Sequence, residues 1–405
     1  MKAIVKKFMR WLGIKVMRAP RSAAQRFVEL PATGHSVRGS VLIAYVVDPF
    51  LLPEGRELPS GHTHFIEAQL MVKVFHELGY AVDVVDYQET SFIPQKSYDI
   101  LVSSRVCLER LSKLLKPQCL IIFHVTVSHW LCNNAAAITR CLDVLRRRGV
   151  SLASYKLIDE NWAIEHAEFA IYSTGNNWVP DSYAYAGKPF AQVPLCTHTV
   201  YPSPENKNFD AVRRTFLWLG SVGFVHKGLD LVLEAFAGMP EFKLVVCGPI
   251  KDEPAFLQAF DRELHHTPNI ETVGWVDITS EKFHEIVARC IGLVYPSCAE
   301  GASGNVLTCM QAGLIPVISY PSCVDMSTGN GLQIKALDVD SVQRAVRTLA
   351  VMSTAELSAL TMRAWRFARD HHTHERFSEE YRKAVELALA YHAPAKIIGS
   401  RIPNT

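Results

Sequence analysis

The sequence unit that best indicates the fold is Val294-Tyr-Pro-Ser297-Cys-Ala-Glu300-Gly301-Ala-Ser303-Gly304-Asn305-Val306-Leu-Thr308. An apolar run ends at Pro-Ser, a loop of small residues carries one glutamate, and a helical pattern begins. The free amides at such a helix start, together with the helix dipole, favour a phosphate group. A carboxylate beside them accepts hydrogen bonds from sugar hydroxyls. The alternative is that Glu300 only caps the helix and that the glycines only form turns.

Similar strand–loop–helix units occur along most of the chain. Thr215–Leu219 and Leu244–Cys247 are short apolar runs, as expected for buried parallel strands. In the first half, Val41–Val47 is such a run, and His64–Leu78 has apolar residues at helical spacing. Alternation of this kind predicts an α/β fold with doubly wound sheets.

A polar segment, Tyr201–Asn208, separates two such series and reads as a linker. A chain of 405 residues is long enough for two domains of ordinary size. We therefore predict two Rossmann-like domains, residues 39–203 and 209–374, after an extension at residues 1–38. Because ligands of doubly wound sheets bind at the carboxyl ends of the strands, the crevice between the domains is the predicted site.

Composition excludes several classes of protein. The net charge of +2 gives no general attraction to nucleic acid, so no nucleic-acid partner is expected. No apolar run reaches the roughly 18 residues that a membrane-spanning helix needs. The ten cysteines form no close C-x-x-C pair, which argues against structural zinc and against a disulfide framework. A reducing, cytoplasmic location is the expectation.

The extension has its own character. Eight basic residues precede the first acidic residue, Glu29, and apolar residues lie between them. The segment lacks the long apolar core of a signal peptide. Two interpretations remain open: residues 1–30 lie on a membrane surface as a basic amphipathic segment, or they form a solvated or domain-packed extension.

A second loop with phosphate-binding character follows the predicted strand Thr215–Leu219. It reads Gly220-Ser221-Val-Gly-Phe-Val-His-Lys227-Gly228 and leads into a helix. Glycines let the backbone approach a diphosphate, and a lysine ammonium neutralises its charge. The spacing of a P-loop is absent, and a lysine in a loop is by itself a weak indication.

Four ordered groups of residues resemble the donor-binding half of GT-B glycosyltransferases, specifically glycosyltransferase family 4 (glycosyltransferase group 1). They are Gly220…Lys227-Gly228, Gly274-Trp275-Val276, Pro296-Ser297…Glu300-Gly301 and Ala312-Gly313…Pro316-Val317. The resemblance implies a GT-B fold, with two Rossmann-like domains facing a central cleft. It also implies that a C-terminal helix, residues 375–395, crosses back to the first domain.

The resemblance assigns roles to these residues. Lys227, with Gly220 and Ser221, would contact the diphosphate of a nucleotide sugar, and Glu300 would contact the transferred sugar. The amides of Ser303, Gly304 and Asn305 would bind phosphate. The nucleoside would lie against Gly274, Trp275, Val276 and Thr308.

Two positions depart from the family pattern. The family commonly has arginine directly after the first glycine, where this chain has Ser221, and a second glutamate where it has Thr308. Threonine hydrogen-bonds a hydroxyl but carries no charge and reaches less far. Donor affinity and base identity are therefore open.

Histidines mark the acceptor side of the predicted cleft. His124 ends the apolar run Ile121–Phe123 and resembles a family histidine that faces the reaction centre. A buried histidine bonded to the backbone is the alternative. Contacts with the acceptor are also expected from Gly61, His62, His64, His129 and Trp130. Glu67 is interpreted as an ordinary residue of a helix surface, and no metal site is expected.

The resemblance implies retaining, metal-independent transfer of a sugar from a nucleotide-diphosphate sugar, with no cofactor. The acceptor would be a glycan or a lipid-linked saccharide, as in polysaccharide or glycoconjugate biosynthesis. The catalytic residues would be His124, Lys227 and Glu300. Two alternatives remain: a sugar-nucleotide epimerase on the same scaffold, and a non-catalytic partner that binds a nucleotide sugar.

Overall fold

The computed structural model describes residues 26–32, 37–53, 63–173, 175–197 and 199–399. Within them, two sheets of mainly parallel strands are each covered by helices. The predicted α/β class with two Rossmann-like bodies is confirmed. The central strands of each sheet are short, apolar and buried on both faces, as is typical of parallel sheets.

The first sheet has the order β1-β3-β2-β4-β5-β6-β7. Its strands are β1 (Phe27–Leu30), β2 (Gly39–Tyr45), β3 (Tyr80–Asp86), β4 (Ile100–Ser103), β5 (Leu120–Val125), β6 (Phe169–Tyr172) and β7 (Phe190–Gln192). All neighbours pair in parallel except β1, which runs antiparallel to β3.

The second sheet has the order β10-β9-β8-β11-β12-β13 and is parallel throughout. Its strands are β8 (Thr215–Leu219), β9 (Lys243–Cys247), β10 (Ile270–Gly274), β11 (Gly292–Tyr295), β12 (Ile315–Ser319) and β13 (Leu332–Ile334). Numbered from β8, this is the 3-2-1-4-5-6 order of a dinucleotide-binding fold, and its strand order reverses between β8 and β11.

Helices connect most successive strands. In the first half they are α1 (Asp48–Leu51), α2 (Thr63–Glu77), α3 (Arg105–Ser112), α4 (Trp130–Arg148), α5 (Ala163–His166) and α6 (Trp178–Tyr183). The second half has α7 (Phe209–Val212), α8 (Leu229–Ala237), α9 (Pro254–Ala259), α10 (Asp261–His265), α11 (Glu281–Ala288), α12 (Gly304–Gln311), α13 (Val339–Ala350), α14 (Thr354–His371) and α15 (His374–Gly399).

The first domain begins earlier than the sequence predicts. Residues assigned to the extension form β1, which pairs with β3 from Phe27 opposite Val85 to Leu30 opposite Val82. Val28 and Leu30 pack against the core on one face, and Phe27 stacks on Phe92 on the other. Apolar alternation along these four residues places them on the sheet edge. Residues 1–25 lie outside the described residues.

Two helices tie the domains together. The last helix, α15, packs on α2 and on β5, and its residues Phe377, Tyr381 and Val385 are buried in the core of the first domain. In the other direction, Val144 of α4 is buried in the core cluster of the second domain. Each domain therefore has a helix that is buried in the core of the other domain or packed on it.

A membrane crossing needs a helix that is both long and apolar. Among the helices of the described residues, none combines the required length with the required apolar character.

Candidate active site

The lysine loop and the glutamate loop leave the second sheet side by side. Strands β8 and β11 are hydrogen-bonded neighbours, with Gly292 opposite Phe216. The loop after β8 carries Lys227, and the loop after β11 carries Glu300. The strand order reverses between β8 and β11. Both loops therefore border the crevice in which doubly wound sheets bind their ligands.

Backbone contacts fasten the two loops to each other. The amide of Cys298 donates to the carbonyl of His226 at 2.9 Å, and Ser297 Oγ lies 3.2 Å from the same oxygen. The His226 ring in turn hydrogen-bonds the carbonyl of Ala299 through Nε2. Gly228 has a φ of +71°, and a Cβ there would overlap the carbonyl oxygen of Pro296. Glycine is therefore required where the loops touch.

Lys227 and Glu300 form an ion pair at this junction. Lys227 Nζ lies 2.9 Å from Glu300 Oε1 and donates to the Tyr295 hydroxyl at 3.1 Å. Glu300 Oε1 also accepts from the Tyr295 hydroxyl at 3.0 Å and from Ser297 Oγ at 2.8 Å. Three donors thus converge on one carboxylate oxygen. No residue in the described part of the chain donates to Oε2.

Both members of this pair are ionised at neutral pH. Burial by itself raises the pKa of Glu300, but the charges of Lys227 and His226 and the hydrogen bonds to Oε1 bring that pKa well below its usual range. Burial by itself lowers the pKa of Lys227, and the charge of Glu300 outweighs it, so that pKa is raised. The site holds a fixed cation beside a fixed anion.

A cavity of about 520 Å³ opens between the two domains at this pair. The second domain lines it with Ser221, Lys227, Ile278, Tyr295, Glu300, Ser303, Gly304, Asn305 and Thr308. The first domain lines it with Arg26, Asp48, Thr63, His64, Glu67, Asp86, Thr126 and Lys156. The structure therefore brings together most of the predicted donor-site residues, and it places His64 opposite them.

The start of α12 points one polar group into this cavity. The amide and the side chain of Asn305 donate no hydrogen bond to another residue that the structure describes, and Asn305 lines the cavity. The hydroxyl of Ser303 is not available in the same way, because it donates to the carbonyl of Ser322 at 2.6 Å. The Asn305 amide is thus open to an anion, whereas the Gly304 amide donates to the carbonyl of Ala302 at 3.2 Å.

The first-domain wall contains a hydrogen-bonded cluster. The Tyr45 hydroxyl lies 2.5 Å from His64 Nδ1 and donates to Glu67 Oε2 at 3.1 Å. His64 Nδ1 and Glu67 Oε2 are 3.0 Å apart. Burial by itself raises the pKa of Glu67, but the hydrogen bond and charge of His64 outweigh it, so that pKa is lowered.

The interpretation of Glu67 as an ordinary helix-surface residue is wrong. Its side chain is 1% exposed and faces the cavity, one turn after the start of α2. The apolar residues of α2 pack on the sheet, and Glu67 lies at the end of this face that borders the cavity. Glu67 follows His64 by three residues, and residues at i and i+3 lie on one helix face. This spacing could have predicted that Glu67 lies beside His64.

His124 lies deeper than the predicted reaction centre. It is 1% exposed, it does not line the cavity, and neither ring nitrogen has a hydrogen-bond partner among the described residues. The Tyr45 ring packs edge-on against it with centroids 4.8 Å apart. Burial lowers the pKa of His124 to about 4, so the ring is neutral at neutral pH.

Other predicted acceptor contacts lie away from the cavity. His129 caps α4, where Nδ1 accepts from the amide of Leu131 at 3.3 Å, and Nε2 lies 3.1 Å from the Tyr185 hydroxyl. Trp130 is the first residue of that helix and packs on His129. Neither residue lines the cavity. Gly61 and His62 lie outside the described residues.

The predicted nucleoside-binding segment is likewise not in the cavity wall. Gly274 accepts a hydrogen bond from the amide of Gly248 at 2.9 Å, Trp275 is 64% exposed, and Val276 is buried. Ile278 and Thr308 line the cavity instead. Gly220 is buried beneath the loop, where a Cβ would overlap the Trp218 ring, and its neighbour Ser221 reaches the cavity.

Several site residues were not found from the sequence. Tyr295 and Ser297 position the Glu300 carboxylate, and the adjacent Tyr-Pro-Ser at the end of a strand was their only signal. Lys156 lines the cavity from the first domain, and Glu253 accepts from the amides of Gly223 and Phe224. Neither of these lies in a sequence motif, because both come from irregular segments distant along the chain.

A metal ion held by protein side chains needs several ligands close together. Across the described region, no group of three or more His, Cys, Asp or Glu side chains is placed to hold one.

Comparison with known proteins relates the chain to glycosyltransferases. The family model for Glycosyl transferases group 1 matches residues 213–351. No curated protein sequence matches the chain. Anabaena HepE in complex with UDP-glucose is similar in structure, with a TM-score of 0.56, 11% identity, and coverage of 86% of this chain and 99% of HepE.

Two further solved structures share the fold. Sucrose-phosphate synthase from Thermosynechococcus elongatus has a TM-score of 0.57 and 13% identity, covering 87% of this chain and 99% of its own. WaaG, a glycosyltransferase involved in lipopolysaccharide biosynthesis, has a TM-score of 0.51 and 13% identity, covering 84% and 98% respectively. The resemblance predicted from the sequence is confirmed: the chain has the GT-B fold, and its second domain matches the group 1 glycosyl transferases.

Proposed function

We propose that this chain transfers a sugar from a nucleotide-diphosphate sugar to a hydroxyl-bearing acceptor, with retention of anomeric configuration and without a bound metal. The main support for the proposal is the Lys227–Glu300 ion pair. It holds a cation and an anion together at the point where the strand order of the second sheet reverses. A diphosphate needs the cation, and a sugar needs a hydrogen-bond acceptor.

The donor diphosphate would lie between Lys227 and the start of α12. A lysine ammonium has three N–H donors, and Lys227 uses two of them on Tyr295 and Glu300, so one is free for a phosphate oxygen. The unpaired amide of Asn305 and the helix dipole add to this attraction. HepE was crystallised with UDP-glucose, which makes UDP-sugars the first donors to try.

Glu300 would orient the transferred sugar. Its Oε1 is held by three donors, which fixes the carboxylate plane, while Oε2 remains free to accept from a sugar hydroxyl. As the bond to the leaving diphosphate breaks, negative charge grows on the β-phosphate. Lys227 and the Asn305 amide would stabilise that charge through groups already in position, and such preorganised stabilisation supplies much of the rate enhancement in many enzymes.

The acceptor would enter from the first-domain wall. A phosphate oxygen of the departing diphosphate removes the acceptor proton on the same face of the sugar, so retention needs no enzyme nucleophile. His64 and Glu67 line this wall, and Asp48 and Asp86 lie nearby. Carboxylates and imidazole suit hydroxyl groups, in keeping with a glycan or a lipid-linked saccharide. We assign acceptor contact to His64, because His124 lies behind Tyr45.

We expect such an enzyme to be located in the cytoplasm. The basic extension, residues 1–30, would hold the protein on a membrane surface if the acceptor is lipid-linked. Removing these residues should then abolish binding to vesicles of anionic lipid while leaving transfer to a soluble saccharide acceptor intact.

The test is a donor screen followed by product analysis. Purified protein is incubated with UDP-, GDP-, dTDP- and ADP-sugars, with and without saccharide acceptors, and binding is followed by thermal shift. We expect one donor to stabilise the protein and to yield an acceptor-dependent product that keeps the anomeric configuration.

Lys227→Met should remove this activity, and Lys116→Met, an exposed lysine of the first domain, should not. Conversion of the donor without an acceptor would identify an epimerase instead. Binding without turnover on any acceptor would identify a non-catalytic partner.

A further inference from the structure

Lys156 brings an ammonium group from the first domain into the donor cavity, close enough to Lys227 to feel its charge. It lies in the irregular segment between α4 and α5, and its backbone is fixed to α4 because Asn133 Nδ2 donates to the Lys156 carbonyl at 2.8 Å. Two further hydrogen bonds of 2.8 Å join Asn134 to Ile158 in the same segment. The backbone at Lys156 is therefore fixed to α4.

The side chain of Lys156 crosses the cleft onto the lysine loop. Its aliphatic stem lies against Gly223, where an added Cβ would come within 2.7 Å of Lys156 Cγ and 3.0 Å of Cε. Gly223 has a φ of +96°, a backbone conformation that favours glycine. The two domains thus touch at a contact that delivers an ammonium group to the cavity.

The ammonium group of Lys156 is unpaired within the part of the chain that the structure describes. Among the described residues it makes no hydrogen bond and no ion pair, although the charges of Lys227, Glu300 and Glu253 act on it. Burial and the neighbouring Lys227 both lower the pKa of Lys156. Two cations lining one cavity repel each other, and an anion between them would relieve that repulsion.

Other donors on the lysine loop are already used. Glu253 Oε1 accepts hydrogen bonds from the amides of both Gly223 and Phe224, the latter at 3.2 Å. These amides are therefore not available to bind a diphosphate. Ser221 lines the cavity but carries no charge. A diphosphate with at least two negative charges would therefore meet only Lys227 as a cation from the second domain in this part of the cavity.

We propose that Lys156 is a donor-binding residue that contacts the diphosphate of the nucleotide sugar together with Lys227. The inference rests on the proposed function and adds that the donor site is shared between the domains. Donor binding then holds the first domain against the second, because Lys156 and Lys227 contact the same diphosphate from different domains.

The test compares diphosphate with monophosphate binding. UDP, GDP, ADP and dTDP, and the matching monophosphates, are titrated calorimetrically into the wild-type chain, Lys156→Met and Lys156→Arg. Methionine keeps the aliphatic stem and removes the charge. For the diphosphate that the wild type binds best, we expect Lys156→Met to raise the Kd about 10- to 100-fold, as for loss of a charged hydrogen bond.

Lys156→Arg should keep the Kd for the diphosphate within a few-fold of the wild-type value, and Lys116→Met should match the wild type. The monophosphate affinity of Lys156→Met should change little, and its melting temperature should be unchanged.

An unaltered Kd for the diphosphate in Lys156→Met would overturn the inference and leave the proposed function standing. An equal loss for mono- and diphosphates with a lowered melting temperature would assign Lys156 a structural role and overturn it too. A wild-type chain that binds none of the eight nucleotides would overturn the donor site itself.

Discussion

Arg140 of the first domain and Asp230 of the second form a fully buried ion pair, with Nη2 and Oδ2 2.6 Å apart and side chains 2% and 0% exposed. Arg147 contributes a second guanidinium to the same carboxylate oxygen, also at 2.6 Å. This contact joins α4 to α8, the helix that follows the lysine loop. It makes the position of α4, and so that of Lys156, depend on a charge in the other domain.

Asp230→Asn should destabilise the protein strongly. The substitution leaves Arg140 buried beside a neutral amide, and breaking such a pair costs about 3–5 kcal/mol. Denaturant unfolding measures the free-energy change. Asp210→Asn is the matched control, because Asp210 is 75% exposed and pairs with Arg213 at the surface, where about 1 kcal/mol or less is expected. Equal effects of the two substitutions would contradict the assignment of Arg140–Asp230 as a stabilising contact between domains.

Gly301→Ala should hold the cleft open. A Cβ at Gly301 would overlap the carbonyl oxygen of Thr126 in the first domain, so the glutamate loop would have to move away. We expect sugar transfer to fall at least tenfold, because misplacing a reacting group by about 1 Å costs up to 100-fold. Small-angle scattering should report a larger radius of gyration.

The control for Gly301 is Gly149→Ala at the end of α4. Gly149 has a backbone that favours glycine, with a φ of +68°, and nothing lies within 4 Å of an added Cβ. This variant should lose some stability and keep both the compact shape and the activity. A compact, fully active Gly301→Ala protein would show that the Gly301–Thr126 contact does not govern closure.

His64→Phe should impair acceptor use more than donor use. His64 lines the cavity and shares its hydrogen bonds with Tyr45 and Glu67, so its loss removes a polar group at the proposed acceptor wall. We expect the KM for the acceptor to rise about tenfold and the Kd for a nucleoside diphosphate to stay unchanged. Steady-state kinetics and calorimetry separate the two. A rise confined to donor Kd would place His64 on the donor instead.

His124→Phe should remain active and become less sensitive to acid. The neutral His124 ring has a pKa of about 4, below the value near 6.5 expected in the unfolded chain. Above pH 6.5 the group adds no pH dependence. Between about pH 6.5 and 4 the unfolded state takes up a proton that the folded state does not. Stability therefore falls with decreasing pH, by at most about 1.4 kcal/mol per pH unit from this residue.

Unfolding followed at pH 7 and pH 5 tests this expectation. Phenylalanine keeps the edge-on packing against Tyr45 and leaves no buried nitrogen unpaired, so stability at pH 7 should not suffer. His372 is also buried with a pKa of about 4, and it should account for part of the acid sensitivity that remains. Loss of sugar transfer in His124→Phe would instead support the sequence-based view of His124 as a catalytic residue.

Local patterns in the sequence were sufficient for the architecture and for the centre of the candidate site. Apolar runs such as Thr215–Leu219 encode buried strands, and glycines after them encode loops that approach a ligand. Lys227 and Glu300 belong to two such loops, and the alternation of strands and helices implies that both lie at carboxyl ends. Each of these signals lies within a few residues of the group it predicts.

Only the tertiary structure decided which side chains meet in the cavity. Glu67 is buried rather than exposed, His129 caps a helix rather than facing a ligand, and Lys156 approaches a loop about seventy positions away. Their surroundings come from segments distant along the chain. A local pattern states whether a residue favours a strand, a helix or a turn. Burial and charge pairing depend on how whole domains pack, and that packing is the sum of many contacts that no short stretch contains.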